Sequence, residues 1–217
     1  MRAELDRLEE EIRGCRICID EPRGRRLPHE PRPVVWPSTT ATILIAGQAP
    51  GTKVHLSGIP FTDASGDRLR SWLGVSRDEF YDRENFAIVP MGFCFPGQDA
   101  RGADLPPRPE CAPAWQSRLM RLMPQIELVL PVGLHAQGWH MGPRRAGSLT
   151  DTVRDWSNGL ASSNAPKVLP LPHPSWRNTS WLKRNPWFET DLLPALRLEV
   201  RGRLKSRSGK TILLQAS

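Results

Sequence analysis

Three groups of residues in this sequence have types and spacings that could do chemistry: four cysteines, a glycine-bracketed loop and a His-Pro-Ser triplet. The cysteines fall in two pairs, Cys15-x2-Cys18 and, after a gap of 75 residues, Cys94-x16-Cys111. Four thiolates suit a tetrahedral zinc ion or a [4Fe–4S] cluster, and spacing does not separate the two. Either would be structural, because a metal saturated by four thiolates keeps no open position for a substrate. Four unrelated buried cysteines are the plain alternative, since free Cys is among the most buried residue types. The loop is Gly47-Gln48-Ala49-Pro50-Gly51, which ends the apolar run Ile43-Leu44-Ile45-Ala46. Two glycines and a proline stop a strand there and bring bare backbone close to whatever sits at its carboxyl end. Gly58-Ile59-Pro60-Phe61 then places an aromatic beside the same crevice, with Asp63 two residues on. His173-Pro174-Ser175 closes another apolar run.

Those residues need elements to carry them. Leu5, Leu8 and Ile12 recur at helical spacing and give an N-terminal helix one packing face. A Pro- and Arg-rich connection follows over residues 20–40. Short buried strands are expected at Ile43–Ala46, Asn85–Met91, Glu127–Val132 and Val168–Leu171. Helices are expected from Arg68, from Ala114 to Met123, from Leu134 to His140, from Leu149 to Trp156 and from Phe188 to Val200. Residues 95–113, rich in proline, form a long ordered loop. Strands alternating with helices predict an α/β fold, a single-domain three-layer αβα sandwich around a four-stranded parallel sheet. The domain is expected over residues 1–202, with a basic tail over 203–217. The loops at 47–63, 90–97, 133–135 and 173–178 then share one side, where ligands bind in open α/β sheets.

Composition narrows the partners. A chain of 217 residues, 39% hydrophobic and 24% charged, can bury a full core. No apolar run approaches the roughly 20 residues of a membrane span, and the charged N-terminal segment lacks the apolar core of a signal peptide. A cytoplasmic protein without membrane association is the expectation. The net charge of +7 favours a polyanion, with nucleic acid first. Eight tryptophans against one tyrosine is unusual, and those of the last third, interleaved with Arg and Lys, suit stacking or wedging against bases.

Taken in order, these motifs resemble the uracil-DNA glycosylase superfamily, specifically its iron–sulfur branches, families 4 and 5, over roughly Leu5 to Leu198. Cys15, Cys18, Cys94 and Cys111 stand where that family has cluster ligands, which implies a structural [4Fe–4S] cluster with zinc as the alternative. The GQAPG of residues 47–51 looks like the first motif, usually GEAPG or GLAPA. Phe61 looks like the aromatic that stacks on the extruded uracil, and His173-Pro174-Ser175 like the second motif, whose His bonds a uracil carbonyl. There are departures. Gln48 stands where family 4 usually has Glu, Val54-His55 where it has an acidic pair, and Pro90 where an Asn reads the uracil imide edge. The stretch from Phe61 to Gly66 looks instead like family 5, in which an Asp at the place of Asp63 serves the attacking water.

The resemblance implies a monofunctional DNA glycosylase that hydrolyses the N-glycosidic bond of uracil or a related deaminated base. Such chemistry takes the nucleotide out of the stack, and its transition state gains negative charge on the base, so donors aimed at the base oxygens matter most. Asp63, His173 and Gln48 are the expected catalytic residues, Gln48 through backbone N–H groups shared with Ala49. Gly47, Ala49, Pro50, Gly51, His55, Phe61, Pro90 and Ser175 are expected around the base, and Lys53, Trp176, Arg177, Asn178, Lys183 and Arg184 on the DNA. No lysine in the motifs could form a Schiff base, so water attacks directly. Asp63 is equally suited to cap the helix that follows it, and His173 to simple packing. The expected partner is uracil-containing or abasic DNA, bound by a monomer. Two other readings stay open: a non-catalytic or product-trapping binder of such DNA, and a metal-stapled α/β protein acting on free nucleotides or RNA.

Overall fold

The computed structural model describes residues 1–162 and 166–214, with side chains to residue 204. Strands β1 (Ile43–Ala46), β2 (Phe86–Ile88), β3 (Leu128–Pro131) and β4 (Lys167–Val168) form one parallel sheet in the order β2-β1-β3-β4. In chain order the helices are α1 (Arg2–Arg13), α2 (Ile17–Asp20), α3 (Thr52–Ser57), α4 (Ala64–Leu73), α5 (Arg77–Tyr81) and α6 (Cys111–Arg121). They continue as α7 (Leu134–Met141), α8 (Leu149–Arg154), α9 (Trp156–Ala161), α10 (Thr179–Arg184) and α11 (Leu193–Leu214). Among the described residues, no helix is long and apolar enough to cross a membrane.

Every residue of β1, β2 and β3 is buried, as strands covered on both faces require. The two-residue period of a strand sorts their side chains into two layers. Ile43, Ile45, Phe86, Ile88, Leu128 and Leu130 join Leu69 and Leu73 of α4, Phe80 of α5, Val153 of α8, and Leu196 and Val200 of α11. Leu44, Ala87 and Val129, one residue out of step, face Leu5, Leu8 and Ile12 of α1 with Leu119 of α6. This is the three-layer αβα sandwich that the alternating pattern predicts.

Boundaries differ where local chemistry intervenes. The expected strand Val168–Leu171 is regular only over Lys167–Val168, with one further bridge between Val132 and Leu171. Pro170 and Pro172 carry no N–H with which to continue a ladder. The helix expected over Leu149–Trp156 divides at Asp155 into α8 and α9. Helix α6 begins at Cys111, three residues before the expected start at Ala114. The last helix opens with a π-turn over Phe188–Leu192, and α11 runs on past Val200 to Leu214.

Candidate active site

The loops that follow β1, β2 and β4 open onto one cleft of about 860 Å³, within the size range of small-ligand sites. Backbone hydrogen bonds hold its rim together. Met91 N–H donates to Gly47 O at 3.0 Å and Gly92 N–H to Gln48 O at 2.8 Å, joining the β1 and β2 loops. Gly133 N–H donates to Leu171 O at 2.9 Å, joining the ends of β3 and β4. The cleft is thus built from strand ends, as in other open α/β sheets.

Asp63 stands at the mouth of α4 with extended backbone, and its Oδ1 accepts from Gly66 N–H at 3.1 Å. It is therefore an N-cap, and it also lines the cleft. Phe61 lines the same wall, its Cζ 3.4 Å from where a Cβ on Gly47 would stand.

His173 faces them from the loop after β4. Its Nδ1 accepts from Ser175 N–H at 3.3 Å, and its carbonyl accepts from Asn178 Nδ2 at 2.7 Å. Burial pushes its pKa below the usual histidine value, while the carboxylates of Asp63 and Asp104 pull the other way. With Nδ1 accepting, the neutral ring carries its proton on Nε2 and is a hydrogen-bond donor there. Arg68 of α4 donates Nη1 to Ser175 O at 3.0 Å, tying the His-Pro-Ser loop to the helix that Asp63 caps.

The cleft also gathers Gln48, Ala49, Pro50, Gly51, Lys53, Pro90, Ser175, Trp176, Arg177 and Asn178. Pro90 presents a ring and no donor, and its carbonyl is taken by the Nε2 of buried Gln116 at 2.6 Å. His55 is not among the lining residues. Its ring packs on His29 at 4.4 Å between centroids and on Phe95 at 5.8 Å, and its Nδ1 is buried without a partner. Helix α3 turns this side chain toward the cysteine side of the loop, where burial lowers its pKa. Lys183 and Arg184 sit exposed in the last turn of α10, outside the cleft. Of the tryptophans in the last third, only Trp176 stands free, 74% exposed with Arg177 over its ring at 5.5 Å. Trp181 is buried against Trp187 and Phe188, so packing claims it.

Two lining residues carry no signal in the sequence, Gln98 and Asp104, while His135 falls in the stretch after β3 that the sequence places on this side. Residues 97–105 fold back as a small hairpin, with Leu105 N–H donating to Gly97 O at 2.9 Å and Asp99 N–H to Ala103 O at 2.9 Å. Gln98 Nε2 then bonds Asp104 Oδ1 at 3.1 Å and lies 3.5 Å from Thr52 Oγ1, pinning the hairpin against α3. The one sequence hint was that Cys94 and Cys111 bracket this stretch.

All four cysteines line a second, small cavity with Phe93 and Arg108. They are unpaired thiols, and Cys18, Cys94 and Cys111 are buried. Burial pushes Cys94 up to about 12 and raises Cys18 and Cys111 as well, so these three are not reactive thiolates. Phe93 N–H donates to Cys111 Sγ at 3.3 Å, and the buried Arg108 Nε beside Cys18 has no partner. Among the described residues, no three His, Cys, Asp or Glu side chains are arranged to hold a single metal ion.

The family model described as the uracil DNA glycosylase superfamily matches residues 35–197, which take in every strand and the loops that line the cleft.

Proposed function

This chain belongs to the uracil DNA glycosylase superfamily, and on that premise we propose that it is a monofunctional glycosylase hydrolysing the N-glycosidic bond of uracil, or a related deaminated base, in DNA. One juxtaposition supports the reading: Asp63, Phe61 and a histidine whose tautomer leaves Nε2–H free share one cleft. The base stacks on Phe61. As the bond between C1′ and the base nitrogen breaks, its electron pair leaves with the base, and His173 Nε2–H bonds the oxygen where that charge collects. Asp63 holds a water against the sugar cation and takes its proton as the new C1′–O bond forms. The products are the free base and an abasic site. Trp176 and Arg177, at the rim, fill the gap in the stack and hold phosphate.

The cysteine cavity is proposed to hold a structural [4Fe–4S] cluster on Cys15, Cys18, Cys94 and Cys111. What supports this reading is that all four cysteines line one cavity, since cysteine thiolates are the ligands of such clusters. When bound, the cluster joins the α1–α2 corner to both ends of the loop that walls the cleft. Arg108, paired with Glu110 at 3.0 Å, would stand beside those thiolates.

The test is an end-labelled duplex with one U opposite G, incubated with protein and then treated with alkali, beside thymine and hypoxanthine controls. Cleavage at U is expected, falling about 10²-fold or more in Asp63→Asn and in His173→Ala. Undiminished cleavage in both variants would refute these assignments. No cleavage by protein carrying iron and acid-labile sulfide, with retention of abasic DNA in a gel shift, would favour a damage-binding protein instead. Pro90 is the observation behind that second reading, because its place offers the base no polar group.

A further inference from the structure

Phe61 is the one non-glycine residue with a left-handed backbone among those described, at φ 53°. An L-residue persists there only when its surroundings hold it. Here the Phe61 carbonyl accepts from the Tyr81 hydroxyl at 2.9 Å and from Arg70 Nη1 at 3.1 Å. The same Arg70 atom lies 3.2 Å from the Tyr81 oxygen, so the three groups close a triangle. Gly66 lies directly against it: a Cβ there would come within 1.7 Å of the Phe61 oxygen. Arg70 is itself fixed. Its side chain is 9% exposed, its Nη2 pairs with Asp67 at 2.6 Å, and its guanidinium covers the Phe80 and Tyr81 rings at 5.3 and 5.4 Å. Phe80, buried, meets the Phe61 ring edge-on at 6.0 Å. Neither Arg70 nor Tyr81 lines the cleft. Both stand behind its aromatic wall.

We infer that Arg70 and Tyr81 are positioning residues, a clamp on the Phe61 carbonyl that sets the plane on which an extruded base stacks. A carbonyl tie serving only a tight connection would affect stability and leave turnover alone. A tie that aims a ring changes the chemical step, because misplacing a stacked base moves its glycosidic bond relative to Asp63 and His173. Tyr81 is the chain's single tyrosine, so its removal changes no other phenol. The inference takes its base from the glycosylase reading, while the clamp itself stands on hydrogen-bond geometry.

The experiment places 4-fluorophenylalanine at position 61 in otherwise wild-type, Tyr81→Phe and Arg70→Met chains. It reads the ¹⁹F line beside single-turnover base release from the U:G duplex. One narrow line is expected for the wild type and a shifted or broadened line for both variants. Release should slow about tenfold, with DNA affinity near wild type and, in Tyr81→Phe, a melting temperature near wild type. An unchanged line in Tyr81→Phe overturns the clamp, and a changed line with an unchanged rate overturns its role in positioning. Should Arg70→Met fail to fold, Tyr81→Phe, which removes one oxygen, decides alone. If the wild type releases no base from any duplex, the glycosylase reading fails separately, and the ¹⁹F line still decides the clamp.

Discussion

Asp63 has two tasks that one substitution can separate. Its Oδ1 caps α4 through Gly66 N–H, and Asn caps as well as Asp. Asp63→Asn should therefore keep the melting temperature while removing the negative charge that orients water. Asp63→Ala should lose the cap too, about 1 kcal/mol or roughly 2–4 °C for a domain of this size. Thermal melts beside base-release rates distinguish the two. His173 carries a second prediction. Burial lowers its pKa, and protonating Nδ1 would break its acceptance from Ser175 N–H, so the neutral form persists as pH falls below the usual histidine value of about 6.5. The acid limb of base release attributable to His173 should accordingly lie below that value. A limb centred at or above it would contradict the burial of this ring as the cause that lowers its pKa.

Helix α4 shows how an element positions a site. Its first turn is capped by Asp63, its third residue Gly66 seats on the Phe61 carbonyl, and its Arg68 reaches the His-Pro-Ser loop. Gly66→Ala would drive a methyl into that carbonyl. The helix would have to lift, at a cost of about 1–3 kcal/mol visible as a lower denaturation midpoint. Helix α5 anchors the other end of the clamp. Ser76 and Glu79 close a capping box at its start, and Glu79 also pairs with Arg201 of α11. Those contacts hold the Glu79 carboxyl down to about 2. Across the sheet, α1 is amphipathic and depends on its buried stripe. Leu8→Ala should cost about 2–5 kcal/mol, measured by urea unfolding.

For the whole molecule, charge and buried histidine set the dependence on conditions. With a net charge of +7, duplex binding should weaken steeply with salt, and Arg177→Ala should reduce the log–log slope by about 1. Binding titrations over a salt series check this. Acid should destabilise the fold through His140, whose buried Nε2 has no partner and whose pKa burial lowers to about 4. The unfolded chain takes up that proton from about pH 6.5 downward while the folded chain resists it. Stability is therefore lost as pH falls from about 6.5 to about 4. His140→Leu should flatten the melting temperature over that window; an unchanged slope would assign the acid sensitivity elsewhere.

What could be read from the sequence was local or repeated. Continuous apolar runs marked the buried strands, Ile43–Ala46 to the residue. Glycines and prolines marked the strand ends where the cleft opens, and the order of Cys15, Cys18, Cys94, Cys111, the GQAPG loop and the His-Pro-Ser triplet pointed to the family. These signals survive in one dimension because backbone period, turn chemistry and motif spacing are properties of neighbouring residues. Tertiary structure alone decided the rest. His55 and Lys53 share one short helix, yet only Lys53 lines the cleft, because three-dimensional packing set His55 on His29 and Phe95. Asp104 reached the site through a hairpin with no apolar pattern to announce it. Tyr81 and Arg70 meet the carbonyl of Phe61 across 20 and 9 positions of chain. A contact between distant residues depends on how helices pack on the sheet, and no local propensity encodes that.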